Sequence, residues 1–343
     1  MESGSYKCLE INKYGTTPIW TSRKIRESLL PNECFIKIEM STIHPADMFF
    51  LAGAYGPVQP KQFPLVPGFE CSGVIERVGD SVDKSNIGKR VNFVANSVTE
   101  GDFHGVWAEY CYAPFERLMV FDDKISFEQI SFATVNPLTV CGFLDTVRKS
   151  GAKAVIQTAA FSAVGKMLIR LCAKEKDVKT INLVRKEEQI KLLKDIGADY
   201  VINTSENDWQ SQLRKISHEM NATICFECIG GEQASKILSA MPYGSTLYNY
   251  GNLLFKPLEG FNSGDFIFSD KKVNGWWLGT WLTKLPDDER LKWFGLVISE
   301  IMQGTELFKT NTSKRFLLEN FSEALGFYQS NMSEGKVMLV PKL

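Results

Sequence analysis

Between Tyr6 and about residue 125, apolar and polar residues alternate in short runs. Cys34–Met40, Gly73–Val78 and Arg90–Ala95 each read with a period of two, and Gly and Pro punctuate the stretches between them. That pattern predicts short strands. From about 126 the texture changes. Lys153–Thr158 is an apolar run of strand length, and behind it Val164, Met167, Leu168, Leu171 and Cys172 fall at helical spacing along one stripe. A strand at Lys179–Val184 and a helix over Glu187–Ile196 follow. Short strands at Tyr200–Asn203, Thr223–Cys228 and Ser245–Tyr250 come next, with a helix over Gln233–Met241 that Pro242 and Gly244 close. Strand–helix alternation of this kind predicts βαβ units and a parallel sheet. Beyond about 265 the pattern is mixed: an aromatic-rich segment, a helix near Glu289–Met302 and a strand at Lys336–Val340. The predicted fold class is α/β, with a doubly wound parallel sheet over 126–269 inserted into a β-rich domain made of 1–125 and 270–343.

Composition narrows the function classes. Lys and Arg number 39 against 40 Asp and Glu, and 44% of residues are hydrophobic, which is ordinary for a globular protein. A formal charge of −1 gives no electrostatic reason to expect nucleic acid as a partner. No apolar run approaches the roughly 20 residues that span a bilayer. Strand-like sequence begins at Tyr6 with no apolar leader before it, so little room is expected for a cleavable presequence. The eight cysteines are scattered, mostly within apolar segments, which points to a reducing compartment. Cys225 and Cys228 bracket two residues on a predicted strand, where they face opposite sides and do not suit a redox or metal pair.

The first strand–helix junction reads Gln157-Thr-Ala-Ala-Phe-Ser-Ala-Val-Gly165. Strand, turn and helix come in the order of a dinucleotide-binding fingerprint. Its glycines are reduced to one: Ala160 and Ser162 stand where the first two would be, and Gly165 is kept. Small residues, with Ala163 and Val164 opening the helix, still suit a pyrophosphate at a helix N-terminus. An NAD site places a carboxylate at the end of the second strand. Here that strand ends in Arg185 and Lys186, and a cation suits the 2′-phosphate of NADPH. The alternative is an ordinary basic strand end.

These residues carry a resemblance. Gly73-Val-Ile-Glu-Arg-Val-Gly79 followed by Gly88-Lys-Arg-Val91 is similar to the catalytic core of medium-chain dehydrogenases/reductases. Leu65–Gly73 (LVPGFECSG) resembles the segment that carries a Gly-His-Glu in their zinc enzymes, with Phe69 in place of the ligand His. His44 aligns with a ligand Cys, no third ligand lies near Cys141, and the cysteine-rich structural-zinc loop is absent, so no metal is expected. The resemblance implies a GroES-like catalytic domain with an inserted Rossmann domain, and the zinc-free quinone and enoyl reductase branch. Val135–Val140, Thr180–Arg185, Cys228–Gly231, Asn249–Gly251 and the Trp-rich Phe266–Trp281 are similar to mitochondrial enoyl thioester reductases. Two departures mark the substrate side: Phe69-Glu70-Cys71 stands for their Asn-Glu-Gly, and the segment between Tyr55 and Pro67 is longer.

Reduction of a conjugated double bond takes a hydride at the β-carbon and a proton at the α-carbon, and a phenol is protonated at neutral pH. Tyr55, between two small loop residues, resembles the acid of enoyl reductases; the alternative is a loop side chain that caps a cleft. Asn136 and Thr139 are candidates for the nicotinamide side, or mark a helix start. Gly230 and Tyr250 belong to the cofactor motifs of the resemblance. Lys336 reaches a cofactor phosphate or is a solvated lysine. Trp276 and Trp277 line an acyl pocket, or fill a core or interface. The histidines offer no triad. The leading expectation is an NADPH-dependent 2-enoyl thioester reductase acting on a small-molecule substrate. A quinone or enone reductase is the second reading, and a non-catalytic subunit that keeps the fold is the third. A homodimer joined through an edge strand, with Gly244–Phe255 as the candidate or else an interior strand of similar character, and a cytoplasmic location, with the mitochondrial matrix as the alternative, complete the expectations.

Overall fold

The computed structural model describes residues 4–56, 60, 62–95, 104–332 and 334–342. The stretch between Tyr55 and Pro67 therefore lies partly outside the described residues. The period-two region forms β1 (Ser5–Glu10) and β2 (Ile19–Lys24), an antiparallel pair, then β3 (Glu33–Thr42), β4 (Glu70–Val78), β5 (Arg90–Val94), β6 (Tyr110–Pro114) and β7 (Met119–Phe121). Helix α1 (Pro45–Leu51) separates β3 from β4, and a single turn, α2 (Phe127–Ile130), follows β7.

The chain then alternates. Helix α3 (Val135–Ser150) leads into β8 (Ala154–Gln157), α4 (Ala163–Glu175), β9 (Lys179–Val184), α5 (Glu188–Asp195), β10 (Tyr200–Asn203) and α6 (Trp209–Glu219). After these come β11 (Ile224–Glu227), α7 (Gln233–Ala240), β12 (Thr246–Asn249), α8 (Ser263–Ile267) and β13 (Lys272–Gly275). These six strands form one sheet in the order β10-β9-β8-β11-β12-β13, parallel throughout. The order is that of the doubly wound fold, whose winding reverses between β8 and β11, and ligands bind outside the carboxyl ends of the strands at that reversal.

Helices α9 (Leu278–Lys284) and α10 (Asp287–Met302) precede β14 (Thr312–Leu317), α11 (Phe321–Ser330) and β15 (Lys336–Val340). β15 pairs antiparallel with β3, which gives a second sheet, β14-β15-β3-β4-β5-β7, with β6 also on β3. The chain divides into two compact units, Met1–Val135 with Leu296–Leu343, and Asn136–Gly295. In the first, Tyr6, Cys8, Phe35, Val66, Ala108 and Tyr112 pack one core cluster. In the second, Ile156, Ile181, Cys225 and Leu247 from the sheet meet Leu213, Ile237 and Leu238 from α6 and α7.

Two expectations change. The run Gly244–Phe255 is not the sheet edge: β12 lies between β11 and β13, so its apolar character reflects cover on both flanks, and β13 is the outer strand. Helix α6 goes beyond the elements expected from sequence, yet its pattern is present there: Trp209, Leu213, Ile216 and Met220 recur at helical spacing and pack on the sheet core. All eight cysteines are free and buried. No helix among the described residues is long and apolar enough to cross a membrane.

Candidate active site

The reversal point of the parallel sheet is built around Thr158–Gly165. Thr158 closes it by donating its N–H to the Phe226 carbonyl at the end of β11 (3.1 Å), while its hydroxyl accepts the Cys228 N–H (3.0 Å). The sharp bend falls on Ala159, at φ +49°. A non-glycine residue there costs on the order of 1–3 kcal/mol. Gln157 offsets that cost: its amide nitrogen donates to the Gly165 carbonyl (3.0 Å) and to Asn182 Oδ1 (2.7 Å), tying turn, helix and second strand together. Ser162 caps α4, its hydroxyl accepting the Gly165 N–H (3.2 Å). A Cβ at Gly165 would lie 2.3 Å from the Ala160 carbonyl oxygen. The one glycine kept is thus the one that close helix packing demands.

The nucleotide residues read from sequence divide here. Ser162, Ala163 and Val164 are half-buried at the start of α4, where first-turn N–H groups lack intrahelical acceptors and suit an anion. Ala160 instead serves packing: it is fully buried among Ile169, Val184 and Leu193, and its N–H donates to the Leu183 carbonyl. The bend belongs to its neighbour Ala159. Arg185 is exposed at the end of β9. The nearby Glu187 is engaged with Asn203 Nδ2 (3.3 Å).

At the end of β11, Glu227 is fully buried and accepts from the Ile229 and Gly230 N–H groups and from Asn249 Nδ2 (2.9 Å). Burial raises its carboxyl above the usual range, and these three donors oppose the rise. Sequence reading missed Glu227 because its partners are loop N–H groups. Gly230, at φ +87°, closes that loop against Asn252. Tyr250 is half-buried, its ring edge-on to Phe143 (4.8 Å), and the phenol contacts the Cys228 thiol. Asn136 and Thr139 are buried on the first turns of α3.

Trp276 packs on α3. A Cβ at Gly142 would sit 2.5 Å from its ring, its indole N–H donates to Thr146 Oγ1 (3.2 Å), and Phe143 and Phe226 flank it. The glycine notch on α3 seats one side of the half-buried ring against the helix. Trp277 is half-buried and folds over Gly279.

In the β-rich unit the candidate acid, Tyr55, is half-buried and rests on Phe69, ring centroids 4.7 Å apart, and Phe69 rests on Phe50 (5.4 Å). Below them lies a buried ionic group. His44 Nε2 is 2.8 Å from Glu70 Oε2, and Lys336 Nζ is 3.1 Å from His44 Nδ1. An ammonium only donates, so Nδ1 accepts and Nε2 carries the proton to Glu70. Burial, then Lys336, lowers the imidazole pKa, which keeps His44 neutral. The other Glu70 oxygen accepts the Thr134 N–H (2.7 Å) and the Val135 N–H (3.1 Å), fixing the start of α3. Asp47 holds the His44 and Phe69 N–H groups (2.6 and 3.0 Å). Burial pushes its carboxyl up to about 7, and those two donors oppose the shift. Lys336 is buried, not solvated, and burial takes its ammonium down to about 8.

Comparison with known proteins adds identity. The model for the alcohol dehydrogenase GroES-like domain matches residues 30–123, and that for zinc-binding dehydrogenases matches 163–292. A rat mitochondrial enoyl-[acyl-carrier-protein] reductase is 30% identical over 80% of this chain and 72% of its own length. The chain belongs to the medium-chain dehydrogenase/reductase superfamily, in its enoyl reductase and quinone oxidoreductase branch. The Arabidopsis thaliana enoyl-[acyl-carrier-protein] reductase is also 30% identical, over 74% of this chain, which spans 66% of that protein's length. A Mesorhizobium loti structure assigned as an NADPH:quinone reductase is 28% identical, with TM-score 0.85 over 99% of this chain and 100% of its own.

Within the superfamily the zinc position is the telling one. Phe69 offers no donor atom, and His44 spends both ring nitrogens on Glu70 and Lys336. A zinc ion would stand beside the Lys336 ammonium with one ligand already taken. These residues do not fit it.

Proposed function

We propose that this chain is a zinc-independent, NADPH-dependent reductase of an activated carbon–carbon double bond, acting on a 2-enoyl thioester. The observation that carries the reading is Tyr55 seated on Phe69: a phenol is supported on the ring that replaces a metal ligand. NADPH, when bound, supplies the hydride for the β-carbon. Tyr55 donates the proton that quenches the developing enolate at the α-carbon. Phe69, held by Asp47 through its N–H and by Phe50 through its ring, orients that phenol. Arg185 takes the 2′-phosphate, and the first-turn N–H groups of Ala163 and Val164 face the diphosphate. Gly165 and Gly230 keep the backbone close, and Asn136, Thr139 and Tyr250 serve the nicotinamide side. Trp277 contributes to the acyl side. Lys336 belongs to the ionic group beneath Phe69.

The kinship with an NADPH:quinone reductase supports a second reading, in which the substrate is a quinone or enone. Both readings share the cofactor and differ in the acceptor. A two-fold dimer through β13 is part of the proposal. That outer strand pairs only with β12 among the described residues, and beside it Phe266, Ile267 and Phe268 are exposed. Eight free thiols suit a reducing compartment, cytoplasm or mitochondrial matrix.

Calorimetric titration with NADPH and NADH, followed by turnover of a trans-2-enoyl thioester and of a simple quinone, tests the reading. Selective NADPH binding with thioester turnover is expected. Tyr55→Phe is expected to lower kcat about a hundredfold or more with NADPH affinity unchanged. Quinone turnover alone moves the protein to the second reading. Failure to bind either nucleotide sinks both and leaves a non-catalytic subunit.

A further inference from the structure

The turn that opens α4 carries a second cation that the mechanism above leaves unused. Lys166 follows Gly165, is half-buried, and holds its Nζ 3.9 Å from the centroid of the Phe161 ring. Local forces oppose a charge there. It stands near the N-terminal end of a helix, whose dipole disfavours cations. Arg170 follows it by four residues on the same helix face, a repulsive like-charge spacing. Burial, and after it Arg170, holds the ammonium below the ordinary lysine range. Among the described residues Lys166 makes no ion pair. A cation kept under such conditions, with only an aromatic face beneath it, is arranged for an anion that arrives from outside the chain.

The ring beneath it says where. Phe161 packs against the cluster of Val184, Ile169 and Leu193, and Val184 is the residue before Arg185. The ring that carries Lys166 and the residue before Arg185 therefore belong to one apolar cluster. We infer that Lys166 is a second recognition residue for the 2′-phosphate of the dinucleotide, acting with Arg185 and held in place by Phe161. A phosphate monoester carries close to two negative charges, so one exposed guanidinium leaves it under-compensated. A partly desolvated ammonium adds a hydrogen bond charged on both sides, where an NADH ribose offers only a neutral hydroxyl. The inference rests on the nucleotide reading above, and its test separates the two.

The probes are 2′,5′-ADP and 5′-AMP, titrated calorimetrically into the full chain and into Lys166→Met, Lys166→Arg and Phe161→Leu. Lys166→Met is expected to weaken 2′,5′-ADP about ten- to a hundredfold and to leave 5′-AMP unchanged. Lys166→Arg is expected to keep most of the affinity, and Phe161→Leu to lose about severalfold, again only for the 2′-phosphate probe. Unchanged 2′,5′-ADP binding in Lys166→Met overturns the assignment. Equal weakening of both probes also overturns it, because it makes Lys166 a structural part of the turn. Binding of neither probe by the unaltered chain removes the nucleotide reading itself.

Discussion

A methyl group at residue 165 has nowhere to go. Its carbon would stand 2.3 Å from the Ala160 carbonyl oxygen, so Gly165→Ala must open the turn at the end of β8. We expect a loss of about 1–3 kcal/mol in the urea midpoint, together with loss of nucleotide binding. Lys336 gives a test in pH. Burial takes its pKa to about 8, below the 10.5 of a free lysine, while Glu70 and Asp47 pull it back up. The folded chain thus holds that proton more weakly than the unfolded chain. The stability linked to Lys336 is present above about 10.5 and is lost as pH falls through about 8. Relative to Lys336→Met, the unaltered chain is expected to gain on the order of 1–3 kcal/mol between those limits; parallel curves would remove the linkage. Gly165 was legible in sequence, since the close packing of helix on turn demands it where the local motif places it. The choice of Ala159 over Ala160 for the bend was not, because Ala160 is claimed by the Leu183 carbonyl on another strand. The burial of Lys336 was hidden too, since His44 lies 292 residues away along the chain.

Elements show the same division. Strands β8, β9 and β11 and helices α4 and α6 carry their apolar period in the sequence, α6 through Trp209, Leu213, Ile216 and Met220. Which strand forms the edge depends on pairing, and local pattern carries no pairing information. The tryptophans were ambiguous for a related reason: their size marks them for burial without saying against what. Trp276 and Trp281 are both sealed onto α3, the second by its indole N–H to Asp145 Oδ2 at 2.9 Å. Trp281→Phe leaves that buried carboxylate with one donor fewer. We expect it to lower thermal stability by about 1–3 kcal/mol with nucleotide affinity kept, as followed by calorimetry.

For the whole molecule the exposed apolar group beside β13 has the clearest solution consequence. Phe268 is 80% and Ile267 is 70% exposed, an arrangement suited to cover by a second chain. Sedimentation should show a dimer that Phe268→Asp converts to monomer; a monomeric unaltered chain would remove the two-fold proposal. The pairing of β15 with β3 bears on how the protein is made. Ser41 and Leu339 are neighbours in one sheet although about 300 residues separate them. The parallel sheet, in contrast, closes within its own continuous span, Asn136–Gly295. On a ribosome adding roughly 5–20 residues per second, β3 emerges early and waits on the order of tens of seconds for its last neighbour. Throughout that time the Ser41–Thr42 end of β3, beyond the Glu33–Lys37 stretch that β6 covers, is a bare strand edge, open to chaperones and to other nascent chains. Housing one fold inside another makes the β-rich part the last to finish, and its yield in the cell should follow the pace of translation more closely than that of the parallel sheet.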